Sequence, residues 1–272
     1  GEDPRPKPSF LMNTVKAALD LDVSVGALGF WGSFLTSVKT DQRGQPRFDF
    51  GIKELYLTHQ SAFSDITAGY FEKAWSPMNA FKLSDFFAPS ALLFLPESSP
   101  AAANIGIDTL LYWDVFSLEC ILLPVYSPPA SIREYFEELL GVTFYPQDIA
   151  TTFVDSPPAM VWDNMQVGYR LGMTLGFLEL AFFGYHGFLL REVATTQTTF
   201  TPPATVAMEV TRQYPRINSL GVTTTLEVWR FILNAEMVAT LEYPLLVEAT
   251  TEFLGIGEIT NLEMKKPPVI EW

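Results

Sequence analysis

The chain has 272 residues, 48% hydrophobic and 14% aromatic against 18% charged, an apolar surplus over ordinary soluble domains that a membrane environment accounts for. Its formal charge of −14, from 31 acids and 17 bases, excludes the clustered cations of a phosphate-binding surface, and with them nucleic acid as a partner. One cysteine, Cys120, and two histidines, His59 and His186, leave no disulfide and little to hold a metal, so neither a metal site nor a cofactor is expected.

The opening GEDPRPKPSF lacks a basic start followed by an apolar core and reads as the start of a processed chain, with residues 1–8 a flexible tail and 9–272 one domain. From there, alternation of apolar and polar residues runs through 23–38, 47–59, 62–73, 104–113 and 115–126, the signature of half-buried strands. In 104–113, Ile105, Ile107, Thr109, Leu111 and Trp113 face away from Gly106 and Asp108. Cys120, between Glu119 and Ile121, reads as a packing residue. Three longer connections interrupt the pattern, at 76–102, 127–161 and 191–215. The second contains SIREYFEELLG (131–141), where Ser131 followed by Glu134 forms a capping box and predicts a short helix.

Residues 164–187, NMQVGYRLGMTLGFLELAFFGYHG, admit two readings: a membrane helix packing through Gly168, Gly172 and Gly176, or two strands. The helix buries Arg170 and Glu179 in the bilayer at about 2.5 to 3.5 kcal/mol each. As strands, Met165, Val167, Tyr169, Leu171 and Met173 share one face, opposite Asn164, Gln166, Gly168, Arg170, Gly172 and Thr174, and the arginine escapes the lipid. The second strand is apolar on both faces, with Glu179, Ala181, Phe183 and Tyr185 opposite Leu178, Leu180 and Phe182, so its inner face is expected to touch a constricting segment or an apolar solute.

Further on, Leu220, Val222, Thr224, Leu226 and Val228 alternate with polar residues, and 230–243 sets Phe231, Leu233, Ala235, Met237, Ala239, Leu241 and Tyr243 against Arg230, Asn234, Glu236, Thr240 and Glu242. The two form a hairpin bending near Trp229 and Arg230. Additional strands are candidates at 9–19, 245–254 and 262–272. Outside 164–187 no apolar run approaches the roughly 20 residues of a spanning helix, whereas strands of about ten residues suit a tilted crossing. The expected fold is all-β: an antiparallel transmembrane β-barrel of about 12 strands, 10 to 14 being compatible, with a short helix in a long loop.

One stretch carries a resemblance. GYFEKAWSPMNAFKLSDFFAP (69–89), following the strand FDFGIKELYLTHQ (48–60), resembles a pattern in porin-like bacterial outer-membrane barrels, where a strand runs into Trp-Gly and then Asp-x-x-Asn-Pro. Gly69, Trp75, Asp85 and Pro89 match, while Ser76 and Ala88 stand where that group usually has glycine and asparagine. FSLECILLPVYSPP (116–129), the strand around Asn164, Gln166, Gly168 and Arg170, and Tyr214-Pro215-Arg216 are similar to further landmarks of the group in the same order, over roughly residues 45–245. The resemblance implies an outer-membrane barrel of porin or exporter type, whose solute varies and is often apolar.

Read on their own chemistry, Asn79, Lys82 and Asp85 supply polar groups to a segment, 76–102, that either folds into the lumen and narrows it or forms an ordered external loop in which Asp85 caps a turn. Gln166, Arg170, Glu227, Arg230, Asn234 and Glu236 are the other candidate pore-lining residues; they either set solute preference or pair across strands to fill a closed barrel. Trp31, Trp75, Trp113 and Trp162, with Tyr56, Tyr126, Tyr185 and Tyr243, read as interfacial aromatics. A hydrolase would need a nucleophile beside His59 or His186, and no serine lies in such a register, so an enzyme is not expected. The expectation is a channel or exporter passing a small solute passively, in contact with lipid and lipopolysaccharide and open to a periplasmic or envelope protein partner. The alternatives are a structural barrel within an envelope assembly and a barrel that binds an apolar ligand.

Overall fold

The computed structural model describes residues 14–40, 46–77, 84, 86–87, 104–126, 150–159, 161–189, 193–201, 205–253 and 257–265. The first eight strands in chain order are β1 (Thr14–Val25), β2 (Leu28–Thr40), β3 (Pro46–Gln60), β4 (Ser64–Phe71), β5 (Asn104–Trp113), β6 (Phe116–Leu123), β7 (Ala150–Ser156) and β8 (Gln166–Leu175). They are followed by β9 (Leu178–Phe188), β10 (Val193–Thr201), β11 (Thr205–Gln213), β12 (Arg216–Val228), β13 (Phe231–Leu241), β14 (Leu245–Phe253) and β15 (Gly257–Lys265). Ten of these form one antiparallel sheet in the order β1-β2-β3-β4-β5-β6-β8-β9-β12-β13. The segment 164–187 is therefore a hairpin, and the helix reading is excluded.

Tight turns lie at one end of this sheet, at 26–27, 61–63, 114–115, 176–177 and 229–230, and the long connections lie at the other. The turns are tied into a rim. Gln60 N donates to Ala27 O at 2.8 Å, Tyr112 N to Phe63 O at 2.9 Å, Thr174 N to Val115 O at 2.8 Å and Glu227 N to Phe177 O at 2.8 Å. Gly26-Ala27 breaks the expected 23–38 run into two strands, and Arg230 sits in a turn instead of opening its strand.

Two smaller sheets complete the described structure. One is β10-β11-β7, in which β7 runs parallel to β11, and the other is the hairpin β14-β15. The connections 127–161 and 191–215 thus contain strands that alternation did not reveal. VATTQTTFT is polar on both faces, so it carries no two-residue apolar period to read. Direct pairing of β9 with β12 leaves this hairpin outside the main ladder. The expected helix at 131–141 and the tail 1–8 lie outside the described residues; the only helical turn among the described residues is a 3-10 turn at Trp162–Asn164.

The ten-stranded sheet is rolled. Glu72 N hydrogen-bonds Glu54 Oε1 on β3 at 3.1 Å, and Ser76 Oγ hydrogen-bonds Glu236 Oε2 on β13 at 2.6 Å. Laid flat, β3 and β13 would stand seven spacings apart, about 34 Å, given their places in the strand order. Glu72 and Ser76 are four residues apart and span at most about 14 Å. Two glutamate side chains do not bridge the difference, so the sheet curls around residues 72–77 as the wall of a barrel.

Cross-strand register separates the wall into two chemically distinct faces, because directly opposed residues share a face. Outward positions include Leu19, Leu21 and Val23 on β1, Phe48, Phe50 and Ile52 on β3, Ile105 and Ile107 on β5, Tyr169 and Leu171 on β8, and Leu233 and Met237 on β13. All of these are exposed, Met237 at 68%. Among the described residues of the ten strands that have a cross-strand partner, the outward register holds no aspartate, glutamate or lysine, and its one arginine, Arg216, lies at the first residue of β12; Lys53 is exposed at the β3 bulge without a partner position. The inward register carries Asp20, Asp22, Glu54, Asp108, Glu119, Arg170 and Glu236.

Candidate functional site: a strap across the barrel interior

After Phe71 closes β4, Ser76-Pro77 ends any ladder, and the chain crosses the inner face of the sheet. Trp75, Phe86 and Phe87 from this crossing pack with Phe71, Ile121, Leu123, Phe183, Tyr185 and Ile217 into the buried core. Trp75 meets Phe87 edge-on at 4.9 Å between ring centroids, Phe86 stacks on Tyr185 at 4.6 Å, and Phe87 meets Tyr185 edge-on at 5.3 Å. These are favourable aromatic geometries in a buried cluster. Gly168 makes the approach possible: a Cβ there would stand 2.4 Å from Phe87 Cζ and 2.7 Å from Trp75 Cη2.

Polar contacts fix the strap on both sides. Glu236 on β13 accepts from Ser76 Oγ and, at 2.5 Å, from Ser84 N, while Asn234 Nδ2 donates to Pro77 O at 3.1 Å. On the other side Asn104 Nδ2 donates to Phe87 O at 2.5 Å, and Lys73 Nζ bonds Asp108 Oδ2 at 2.8 Å and pairs with Glu119 Oε1. Burial alone would lower the Lys73 pKa, but Glu119 and Asp108 together hold the ammonium above its ordinary 10.5. A lysine outside the strands thus neutralises two acids inside the wall.

Beneath the strap, toward the end of the long connections, Tyr185 OH donates to Gln166 Oε1 at 2.7 Å and to Phe188 O at 3.0 Å. Toward the tight-turn end a cavity of about 280 Å³ remains, bounded by Lys73 and Pro77 of the strap and by Glu119, Arg170, Glu179 and Thr223 of the wall.

The sequence-predicted residues divide as follows. Arg170, Asn234 and Glu236 are on the inner face and meet the strap or the cavity. Gln166 is on that face too, but it is 2% exposed and packed under Tyr185, so it does not face open water. Glu227 is exposed near the turn rim, and Arg230 lies in the turn with its guanidinium 5.1 Å from the Trp229 ring, away from the interior. Asn79, Lys82 and Asp85 lie outside the described residues, as do Ala88 and Pro89.

Four of the aromatics need correction. Trp75 and Tyr185 are each 2% exposed and belong to the strap cluster, and Trp31 opposes Asp22 and Tyr56 on the inner face, so none of the three lies on the outer belt. Tyr56, paired with Trp31, is inward as well. Trp113 is exposed beside the turn rim, Trp162 is 81% exposed in the 3-10 turn, and Tyr126 packs between Phe188 and Tyr214. Lys73, Asp108 and Glu119 were missed as a group; the signal available was an acid on the small or polar face of each of two successive strands.

No protein-family model matches the chain, and no curated protein does. Among solved structures the chain is similar to OmpTdeltaL8, a loop L8 deletion mutant of OmpT, an outer membrane protein of Vibrio cholerae, with a TM-score of 0.33 and 13% identity. The likeness covers 83% of this chain and 66% of that one, just under two thirds of its length.

Proposed function

We propose that the chain is a bacterial outer-membrane β-barrel of porin-like type, through which a small solute passes or is exported passively, with the strap residues 72–77, 84, 86 and 87 at its constriction. The observation that carries this reading is the division of the ten strands into an outer face whose paired positions hold no acid or lysine, with Arg216 alone at a strand end, and an inner face holding the acids and Arg170. An apolar face of this extent is stable only against lipid, and strands hydrogen-bonded to one another in a rolled sheet are one of the two ways a backbone crosses hydrocarbon. Inside, hydrogen-bonded polar groups and a cavity favour a narrowed passage over a solid core. Lipid and lipopolysaccharide are the expected neighbours of the outer face, and no chemical step is required of the protein.

The test is single-channel recording in planar bilayers of the wild-type protein and of Phe87→Ala, which removes the ring filling the space over Gly168. Low conductance in the wild type and several-fold higher conductance in the variant are expected. Silence from both, in protein whose heat-modifiable gel mobility shows it folded, would leave a structural or ligand-binding barrel and remove the channel.

A further inference from the structure

The cavity on the turn side of the strap holds a cation with nothing to bind. Arg170 opposes Glu119 on β6 and Phe183 on β9, and its Nε is buried with no hydrogen-bond partner. Glu119, its natural partner, is taken by Lys73, which also occupies Asp108. Among the described residues no carboxylate lies within ion-pair distance of the guanidinium, although Glu179 borders the same cavity from an exposed position nearer the turns. A buried donor left unmade in this way costs stability unless something else supplies an acceptor.

We propose that this cavity is a binding site for a small organic carboxylate, gripped by Arg170. The proposal rests on the interior being reached by solute, as the passive-barrel reading has it. The planar guanidinium matches a carboxylate in a two-pronged geometry, which a point charge does not. A doubly charged phosphate is disfavoured, because Arg170 is the single uncommitted cation among the described residues lining the cavity and Glu179 stands at the mouth. Thr223 and Thr225 line the cavity, with hydroxyls as donors for the second oxygen, while Leu110 and Ala181 give the organic part an apolar surface. A volume of about 280 Å³ admits a compact molecule and excludes a long acyl chain.

The experiment is isothermal titration of folded protein in detergent with benzoate, against benzamide as its uncharged isostere. Wild type is expected to bind benzoate saturably, at least about 10-fold tighter than benzamide, and Arg170→Gln to lose about 10-fold or more of that affinity. Arg170→Lys, which keeps the charge but not the fork, should retain only part of it, and Thr223→Val should weaken binding several-fold. Equal binding of the two probes, no saturable binding by the wild type, or unchanged affinity in Arg170→Gln overturns the site. If Arg170→Gln does not fold, unchanged affinity in both Arg170→Lys and Thr223→Val overturns it instead. Because binding is read without any membrane current, benzoate binding in a silent protein removes the passage reading and keeps the site, whereas current without binding does the reverse.

Discussion

Gly168 on β8 and Phe87 on the strap are in contact so close that a methyl group at position 168 would stand 2.4 Å from the phenylalanine ring. The glycine spacing that first suggests helix packing instead belongs to a strand, where Gly168 and Gly172 share a face with Arg170 and leave room for what crosses the interior. Gly168→Ala is expected to push the strap away and destabilise the protein by about 1 to 3 kcal/mol, the usual range for overpacking a filled core. Guanidinium unfolding of the folded barrel would register this as a lower midpoint. An unchanged midpoint and unchanged conductance would mean that the strap is not packed on β8.

Glu236 is the strap's anchor on β13, accepting from both Ser76 and Ser84. Glu236→Ala leaves two donors unmade at about 1 to 3 kcal/mol and should free the segment around residue 76. Limited proteolysis is expected to cut there faster than in wild type, with noisier single-channel current. Glu236→Gln, which retains one acceptor oxygen, should fall between the two. Equal cleavage of all three proteins would show that Glu236 does not hold the strap.

Much of the wall was legible because it depends on local periodicity alone. The strand over 104–113 and the two faces of the first strand of the hairpin over 164–187 follow from alternation, and the structure has them where the pattern puts them. The interior was less legible, because it depends on pairing between distant segments. Trp75 and Tyr185 read as membrane-surface aromatics because each stands near the end of an apolar run, and only the strap's return across the sheet buries them together. Glu119 is unremarkable in sequence until register sets it opposite Arg170 and the fold brings Lys73 to it from 46 positions away, as the numbering gives. Within the β10-β11-β7 sheet, the threonine-rich β10 offered no period to detect, and the short alternation of Val206, Met208 and Val210 in β11 lay unread inside a connection.

Lys73 neutralises Asp108 and Glu119 together, so Lys73→Met should cost about 3 to 5 kcal/mol by leaving both acids without their cation. The pH dependence follows from the direction of the lysine's shift. A pKa raised above 10.5 in the folded state means that the stabilisation is complete at every pH below that ordinary value and is lost only as pH rises through the raised one. The stability difference between wild type and variant, with respect to the lysine's own titration, should therefore be flat across neutral and mildly alkaline pH and shrink under strongly alkaline conditions. Chemical unfolding at a series of pH values checks this, and a difference that already vanishes near neutrality would contradict the assignment.

The most direct measurement is spin-label accessibility in lipid bilayers, in a Cys120→Ala background, with labels at Leu171 on the outward face of β8 and at Thr225 on the inward face of β12. Leu171 should be reached by oxygen dissolved in the lipid and shielded from a water-soluble nickel chelate, while Thr225 should show the opposite preference. A Leu171 label that favours the chelate while Thr225 favours oxygen would invert the wall and contradict a lipid-facing outside around a strapped, polar interior.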